Sequence, residues 1–511
     1  MDLVLEKVTI AAGDRLLLRE ACARFESGKL HLIVGPSGSG KSLLLQFVAG
    51  LLADGAAQGS VHASGAVRTG EGQDSDRSRV CLVPQQGGLF LELPTRSNIQ
   101  FGKDHGWGGA DEVDIEGICN ELGLNPDQPV WFLSGGEARR CAVARALAAN
   151  AAVILLDEPT AGLDPVAAKR VVRSIASAVR ARGVTVVVVT HDYEHFLSDA
   201  DRVYLLDSTR QRLERVDNAT LKSIEERFAA MGADDDQGGY ERAAGPGVLA
   251  RMLDWWGATV LVPLLALRYT LPSPVSFRWL AYFLRRYGRY MFGPGAVAYL
   301  FVAGLIAGFV STYFTFRHLP FREVLEPLVL ENVVGGIGFT SFRVTVPVLA
   351  TLLIAARCGS AVAADVGIKS QTGQLDAMRT LGASPRAYVQ HSVLWCLVLG
   401  SLFLGAVAMA GAVVSSALTF CALHPERGWL FWNRWFFAWL KTGGSPYWLD
   451  GTGWVVARLS VAGWLTGMIA YELAASPKRS EAEVSGAITS TVLAATLAVL
   501  VLHVVIALLE F

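Results

Sequence analysis

A chain of 511 residues exceeds what one hydrophobic core organises, so two or more domains are expected. Its 45 Lys and Arg against 46 Asp and Glu exclude the basic excess of a dedicated nucleic-acid binder. Hydrophobic residues at 52%, charged residues at 18% and a mean hydropathy of +0.37 exclude a disordered chain and point away from a wholly soluble one.

In chain order, Met1 to Glu6 form neither a basic nor an apolar leader. They read as the first strand of a cytosolic domain, with no cleaved export signal expected. To residue 228, short apolar runs such as Leu30–Val34, Val153–Leu156 and Val184–Val189 alternate with helical stretches, which predicts a largely parallel sheet covered by helices. The 7 cysteines are scattered without metal-ligand spacing and read as reduced packing residues.

The first motif is Gly35-Pro36-Ser37-Gly38-Ser39-Gly40-Lys41-Ser42, between an apolar strand and the helical run Leu43–Ala49. Glycines there let backbone N–H groups curl around phosphate oxygens, and the helix N-terminus adds positive potential. Lys41 is expected on the β- and γ-phosphates of ATP, and the Ser42 hydroxyl on Mg²⁺. Gln85 follows the strand Val80–Val83, and Leu133-Ser134-Gly135-Gly136-Glu137 precedes a helical run. The strand from Val153 ends in Asp157 and Glu158: Asp157 suits the Mg²⁺ shell and Glu158 a general base for water. Gly162-Leu163-Asp164 and, after the strand Val184–Thr190, His191 complete the series.

These six elements, in this order over residues 1–215, resemble the ABC ATPase family. The resemblance implies that Ser134, Gly135 and Gly136 bind the γ-phosphate of a nucleotide held by another copy of the domain. It makes Gln85 the sensor of Mg²⁺, water and membrane partner, Asp164 part of the loop bridging the two sites, and His191 the γ-phosphate switch. One departure concerns adenine: where the family places a stacking aromatic, this chain has Ala11, Ala12 and Gly13. With one ATPase and one membrane half per chain, the expected machine is a homodimer with two-fold symmetry.

Residues 229–247 read as a polar, glycine-containing linker. Within 248–291, Val248–Arg268 and Phe277–Tyr290 interleave tryptophans, tyrosines and arginines, as helices in the headgroup region do; a basic helix packed on protein is the alternative. From 292 to 511, Phe292–Phe314, Val344–Val366, Ser392–Phe420, Gly453–Leu473 and Ile488–Leu509 are each long enough to cross a bilayer. An α/β P-loop ATPase followed by an all-α permease with about five spans is the predicted architecture, in the cytoplasmic (inner) membrane with the ATPase in the cytoplasm.

Val346 to Gly367, then Gln374-Leu375-Asp376-Ala377 through Pro385, resemble the MlaE-type permease family of lipid-transporting ABC systems, more loosely from about 276 to 509. Asp365 stands where that family usually has glutamate, and Gly373 where it has an acid. The resemblance implies a phospholipid or related amphipath as cargo and an extracytoplasmic MCE-type lipid carrier as partner. Lys369–Arg386 reads as a short helix ended by Gly382 and Pro385, suited to dock beside Gln85 and pass on the stroke of ATP. Arg357 and Arg458 lie within spans, where charge must face protein, water or lipid phosphate; Arg357 is read either as a headgroup contact or as half of a structural ion pair. Trp429–Trp439, with four tryptophans, is expected at the opposite membrane face. A small-solute importer and a non-transporting mechanical ATPase are the rival functions.

Overall fold

The computed structural model describes residues 1–12, 15–52, 61–69, 79–107, 113–216, 276–318, 322–441, 449–478 and 480–510, without the side chains of 322–328. The linker 229–247 and the segment Val248–Arg268 lie outside the described residues. The chain divides into two compact units, Met1–Gly247 with Thr372–Ser384, and Val248–Gln371 with Pro385–Phe511.

In the first unit, β1 (Leu3–Ala12) pairs antiparallel with β2 (Arg15–Phe25) and β4 (Val61–Thr69). A second sheet has the order β5-β6-β7-β3-β8-β9, built from β3 (Leu30–Val34), β5 (Val80–Val83), β6 (Val153–Asp157), β7 (Thr185–Thr190), β8 (Arg202–Asp207) and β9 (Arg212–Val216). Its strands run parallel except β9. β3, β5 and β7 are buried at every position, which is why their sequences, His31 apart, are apolar or β-branched runs instead of alternating ones. One core joins the two sheets: Leu5 and Phe25 pack with Leu45 and Phe47 of α1 (Lys41–Val48) and with Leu155 and Val187. Helices α2 (Thr95–His105), α3 (Ile115–Glu121), α4 (Gly135–Ala148) and α5 (Pro165–Arg182) complete the described part.

Among its described residues the second unit is helical, with five stretches long and apolar enough to cross a membrane: Phe277–Arg317, Val329–Gln371, Arg386–Leu423, Thr452–Ala475 and Glu481–Glu510. The first is broken at Gly293 into α6 (Phe277–Phe292) and α7 (Pro294–Arg317), because Gly293 is extended and Pro294 starts a new helix. The aromatic face of α6 packs inward: Trp279, Phe283, Tyr287 and Met291, four residues apart, are buried. The aromatics expected at headgroup level thus cover protein, and Arg285 and Arg289 occupy the outer face. Later helices are α8 (Arg322–Thr340), α9 (Val346–Ile354), α10 (Ser360–Gln371), α11 (Gln374–Thr380), α12 (His391–Leu423), α13 (Gly428–Phe436), α14 (Thr452–Ala475) and α15 (Glu481–Glu510), with α11 belonging to the first unit. Three π-helical turns interrupt the series, at Ser341–Thr345, Ala355–Gly359 and Arg386–Gln390.

Small residues permit close helix contacts. A Cβ on Gly304 or Gly308 of α7 would sit 2.0 or 2.1 Å from the carbonyl oxygens of Ala408 or Ala412 on α12, so this pair of glycines permits the approach. Two networks pair charged residues inside the spans. Asp365 accepts from Arg286 (2.5 Å), the Tyr287 hydroxyl (2.9 Å) and Lys369 (2.9 Å). Arg458 pairs with Glu510, which also accepts from Arg343 Nε at 2.7 Å, and Arg458 donates to the Arg343 carbonyl at 2.7 Å. Arg458 therefore faces protein. Arg357 is half-buried, and among the described residues no carboxylate pairs with it. In the tryptophan segment Trp432 and Phe436 are buried and stacked at 4.4 Å, whereas Trp429 stays exposed.

Candidate functional site

The carboxyl ends of four parallel strands line up. Register places Val83 beside Leu156, Asp157 beside Val189, and Thr190 beside Val34. The segments that follow, carrying Gln85, Glu158, His191 and the phosphate loop, therefore leave the sheet along one edge, the edge at which open α/β sheets bind ligands.

The loop from Gly35 to Gly40 turns on two left-handed glycines, Gly38 (φ +81°) and Gly40 (φ +95°). Nothing stands within 4 Å of where a Cβ on Gly38 would lie, and Ser37 and Gly38 are exposed. Ser39 is buried with its hydroxyl unpartnered. The N-terminus of α1 has no side-chain cap, which leaves backbone N–H groups free for a ligand. Lys41 is buried, and its ammonium donates to the carbonyls of Gly35 (2.8 Å) and Pro36 (2.7 Å) on its own loop. Burial pushes its pKa down, while Glu158 and Asp157 pull it back up. An orphaned hydroxyl, an open glycine and a cation bonded only to carbonyls fit a triphosphate.

Ser42 Oγ donates to Asp157 Oδ1 at 3.0 Å. Burial pushes the Asp157 carboxyl up to about 6, against the opposing Ser42 hydrogen bond and with help from the Glu158 charge. This hard oxygen pair fits a divalent cation, whose charge would reverse that shift. Glu158 is next along the chain, with left-handed backbone (φ +46°), an unfavourable conformation for a non-glycine residue. Its amide donates to Val189 O at 2.8 Å, which holds the turn. The carboxylate meets His191 Nδ1 at 2.8 Å and accepts from Gln85 Nε2 at 3.3 Å. Lys41, Ser42, Gln85, Asp157, Glu158 and His191, from four separate segments, thus converge.

Ser134, Gly135, Gly136 and Asp164 are not part of that cluster. Ser134 caps α4 through a reciprocal box: Glu137 N donates to its hydroxyl (3.3 Å), and the Glu137 carboxylate accepts from Ser134 N (2.8 Å). Ser134 and Gly135 are exposed beside Trp131 and Phe132, which are 65% and 71% exposed. Asp164 caps α5, accepting from Val166 N and Ala167 N at 3.0 Å each. Ala11 and Ala12 lie in β1, and Gly13 falls outside the described residues.

Two arginines escape a reading by motif. The charge of Arg139 acts on both Asp157 and Glu158. Arg145, fully buried, donates to the carbonyls of Gly88 (2.7 Å) and Gly87 (3.1 Å), tying α4 to the loop after Gln85. Against the same loop lies α11. A Cβ on Gly88 (φ +58°) would stand 2.8 Å from both Ala377 Cβ and Gly373 O, and one on Gly373 2.7 Å from the Pro84 ring. The only hint of Arg145 in the sequence is its spacing from the Ser134 cap, which keeps it on one helix without naming its partner.

Two families match the chain: "ABC transporter" over residues 18–161 and "Permease MlaE" over residues 289–509. The chain is 36% identical over 227 residues to the sulfate/thiosulfate import ATP-binding protein of Caulobacter vibrioides, covering 41% of this chain and 63% of that protein. It is 34% identical over 194 residues to the cytochrome c biogenesis ATP-binding export protein of Sphingopyxis alaskensis, covering 37% of this chain and 89% of that one. The crystal structure of a nucleotide-free ATP-binding cassette from an ABC transporter matches at 21% identity and a TM-score of 0.37, over 45% of this chain and 99% of that one.

Proposed function

Because the chain belongs to the ABC transporter family and carries an MlaE permease domain behind its ATPase, we propose that it is an ATP-driven lipid transporter that works as a homodimer. The observation that carries the cargo class is the permease match, which runs through 289–509, where the spans lie. A phospholipid or similar amphipath is the cargo, an MCE-type lipid carrier the extracytoplasmic partner, and the inner membrane the location.

On this reading the chain's own groups divide the chemistry. The phosphate loop and Lys41 hold the β- and γ-phosphates. Ser42, Asp157 and Gln85 hold Mg²⁺, which supplies charge neutralisation on the phosphates. Glu158 takes the proton of the attacking water as that oxygen bonds to the γ-phosphorus and the bridging oxygen leaves with ADP. His191, 2.8 Å from Glu158, orients it and senses the γ-phosphate. The exposed Ser134–Gly135 turn, bonded only within α4 among the described residues, suits a γ-phosphate bound by a second copy, and the exposed Trp131 and Phe132 suit a face that copy covers. The α11 helix, wedged against Pro84 and Gly88, is placed to feel Gln85 move as nucleotide binds and leaves.

A second reading, a small-solute importer, draws on the relative named for sulfate and thiosulfate. Mass spectrometry of material co-purifying with the Glu158→Gln variant separates the two. A specific lipid enriched over bulk membrane is expected. Bulk lipid alone, together with ATP-dependent flux of a polar solute in proteoliposomes, would overturn the lipid assignment.

A further inference from the structure

Between α6 and α12 runs a groove of about 640 Å³, floored by Leu284, Phe292, Trp395 and Leu399, with Arg285 and Arg289 on one wall. Its floor is open: Phe292, Trp395 and Leu399 are 46%, 47% and 52% exposed. The two arginines are four residues apart and share the outer face of α6. Both are exposed, and among the described residues no carboxylate pairs with either. Their neighbour Arg286 turns inward to Asp365, so the outward pair is not spent on the buried network. Neither α6 nor α12 contains an Asp or Glu, so the two elements that build the groove supply no anion of their own.

We propose that this groove binds an acidic phospholipid, with its phosphate between Arg285 and Arg289 and an acyl chain along Trp395 and Leu399. The charge argument favours an anion: two guanidiniums four residues apart repel unless one neutralises them, and guanidinium is the side chain best shaped for phosphate. The apolar floor favours an anion with a hydrocarbon tail. A soluble phosphate would leave Phe292, Trp395 and Leu399 in contact with water, and an acidic protein segment would have no use for a floor without polar groups. The helix bearing the arginines leads directly into a membrane-spanning helix at Pro294, and lipid is the phase that surrounds such a helix. The site depends only on the protein's being in a membrane; it stands whether or not lipid is the transported cargo.

The test uses the full chain in nanodiscs of phosphatidylcholine with a minority of phosphatidylglycerol, followed by native mass spectrometry of retained lipid. Wild type should retain phosphatidylglycerol preferentially. The paired Arg285→Gln/Arg289→Gln variant should lose that retention by on the order of 25-fold, from roughly fivefold for each arginine near an anionic surface. Arg285→Lys/Arg289→Lys should keep most of it, and Arg427→Gln/Arg434→Gln, which removes equal charge elsewhere, should match wild type. Phosphatidylglycerol with a photoreactive acyl chain should label the peptide containing Trp395 and Leu399 in the wild-type protein, and excess inorganic phosphate should not prevent it. Equal retention of both lipids by wild type, unchanged retention by the glutamine pair, labelling confined to other peptides, or displacement by inorganic phosphate would each overturn the proposal. Retention of lipid at this groove alongside failed lipid transport would leave the site standing and remove only the transport reading.

Discussion

Asp157 is held in a place that suits a cation and costs the empty protein stability. Its carboxyl is raised from 3.8 to about 6, chiefly by burial. A folded-state value above the unfolded one means that the folded protein holds the proton more tightly. The resulting stability is full below pH 3.8 and is lost as pH rises through about 6. At neutral pH and above, the ionised Asp157 costs the nucleotide-free fold about 2–3 kcal/mol. Asp157→Asn should therefore raise the thermal midpoint of the nucleotide-free, Mg²⁺-chelated protein at pH 8, with the gain shrinking towards pH 4, and should abolish ATP hydrolysis. A midpoint lowered at pH 8 would mean that Asp157 is a structural ligand of Ser42 and not a site held ready for metal. The neighbouring Glu158 carries a second local cost, its left-handed backbone. Motif spacing could place both acids at the end of β6, because an apolar strand ending in two carboxylates has few other uses. It could not reveal the raised acid or the turned backbone, since both arise from how β6 and β7 pack.

At the scale of elements, the contact that matters is between α11 and the loop after Gln85. The sequence places a short helix within Lys369–Arg386 by its amphipathic pattern and its glycine and proline stops; the structure narrows it to Gln374–Thr380 behind a left-handed Gly373. What it packs on was only partly legible. Docking near Gln85 follows from the resemblance, but the seat itself, Gly88, and its buried strap, Arg145, depend on a contact between residues 57 positions apart. Span charges behave the same way: Asp365 meets Arg286 and Tyr287 from 79 and 78 positions away, and Arg458 meets Glu510 from 52. Periodicity fixes the helix that a residue sits on, and only tertiary packing fixes its partner. Gly88→Ala puts a Cβ 2.8 Å from Ala377 Cβ and strains a φ of +58°, so it should push α11 from its seat. Basal ATP hydrolysis should change little, and stimulation by the transported substrate should fall sharply. Adding Ala377→Gly should restore part of that stimulation. If the single variant keeps full stimulation, force does not pass through this contact.

Taken whole, the residues of the proposed ATP site do not form one cluster: Lys41, Ser42, Gln85, Asp157, Glu158 and His191 converge, while the exposed Ser134 stands apart in its capping box with Glu137. In the proposed homodimer such a site is completed when two copies meet face to face, each lending its Ser134 turn to the other's phosphate loop. Lys41→Ala removes the phosphate contact of its own loop, and Ser134→Arg blocks the turn lent to the partner. Either variant alone should be inactive, because both sites of its homodimer carry the same defect. When the two are co-expressed, a mixed dimer pairs the intact loop of the Ser134→Arg chain with the intact turn of the Lys41→Ala chain. One site in that dimer is then whole. Random pairing should restore about a quarter of wild-type ATP hydrolysis if the two sites act independently. Isolation of the mixed dimer through two different affinity tags should enrich the activity further. A mixed dimer as inactive as its parents, with nucleotide still bound at the intact loop, would mean that the outward turn serves no partner site.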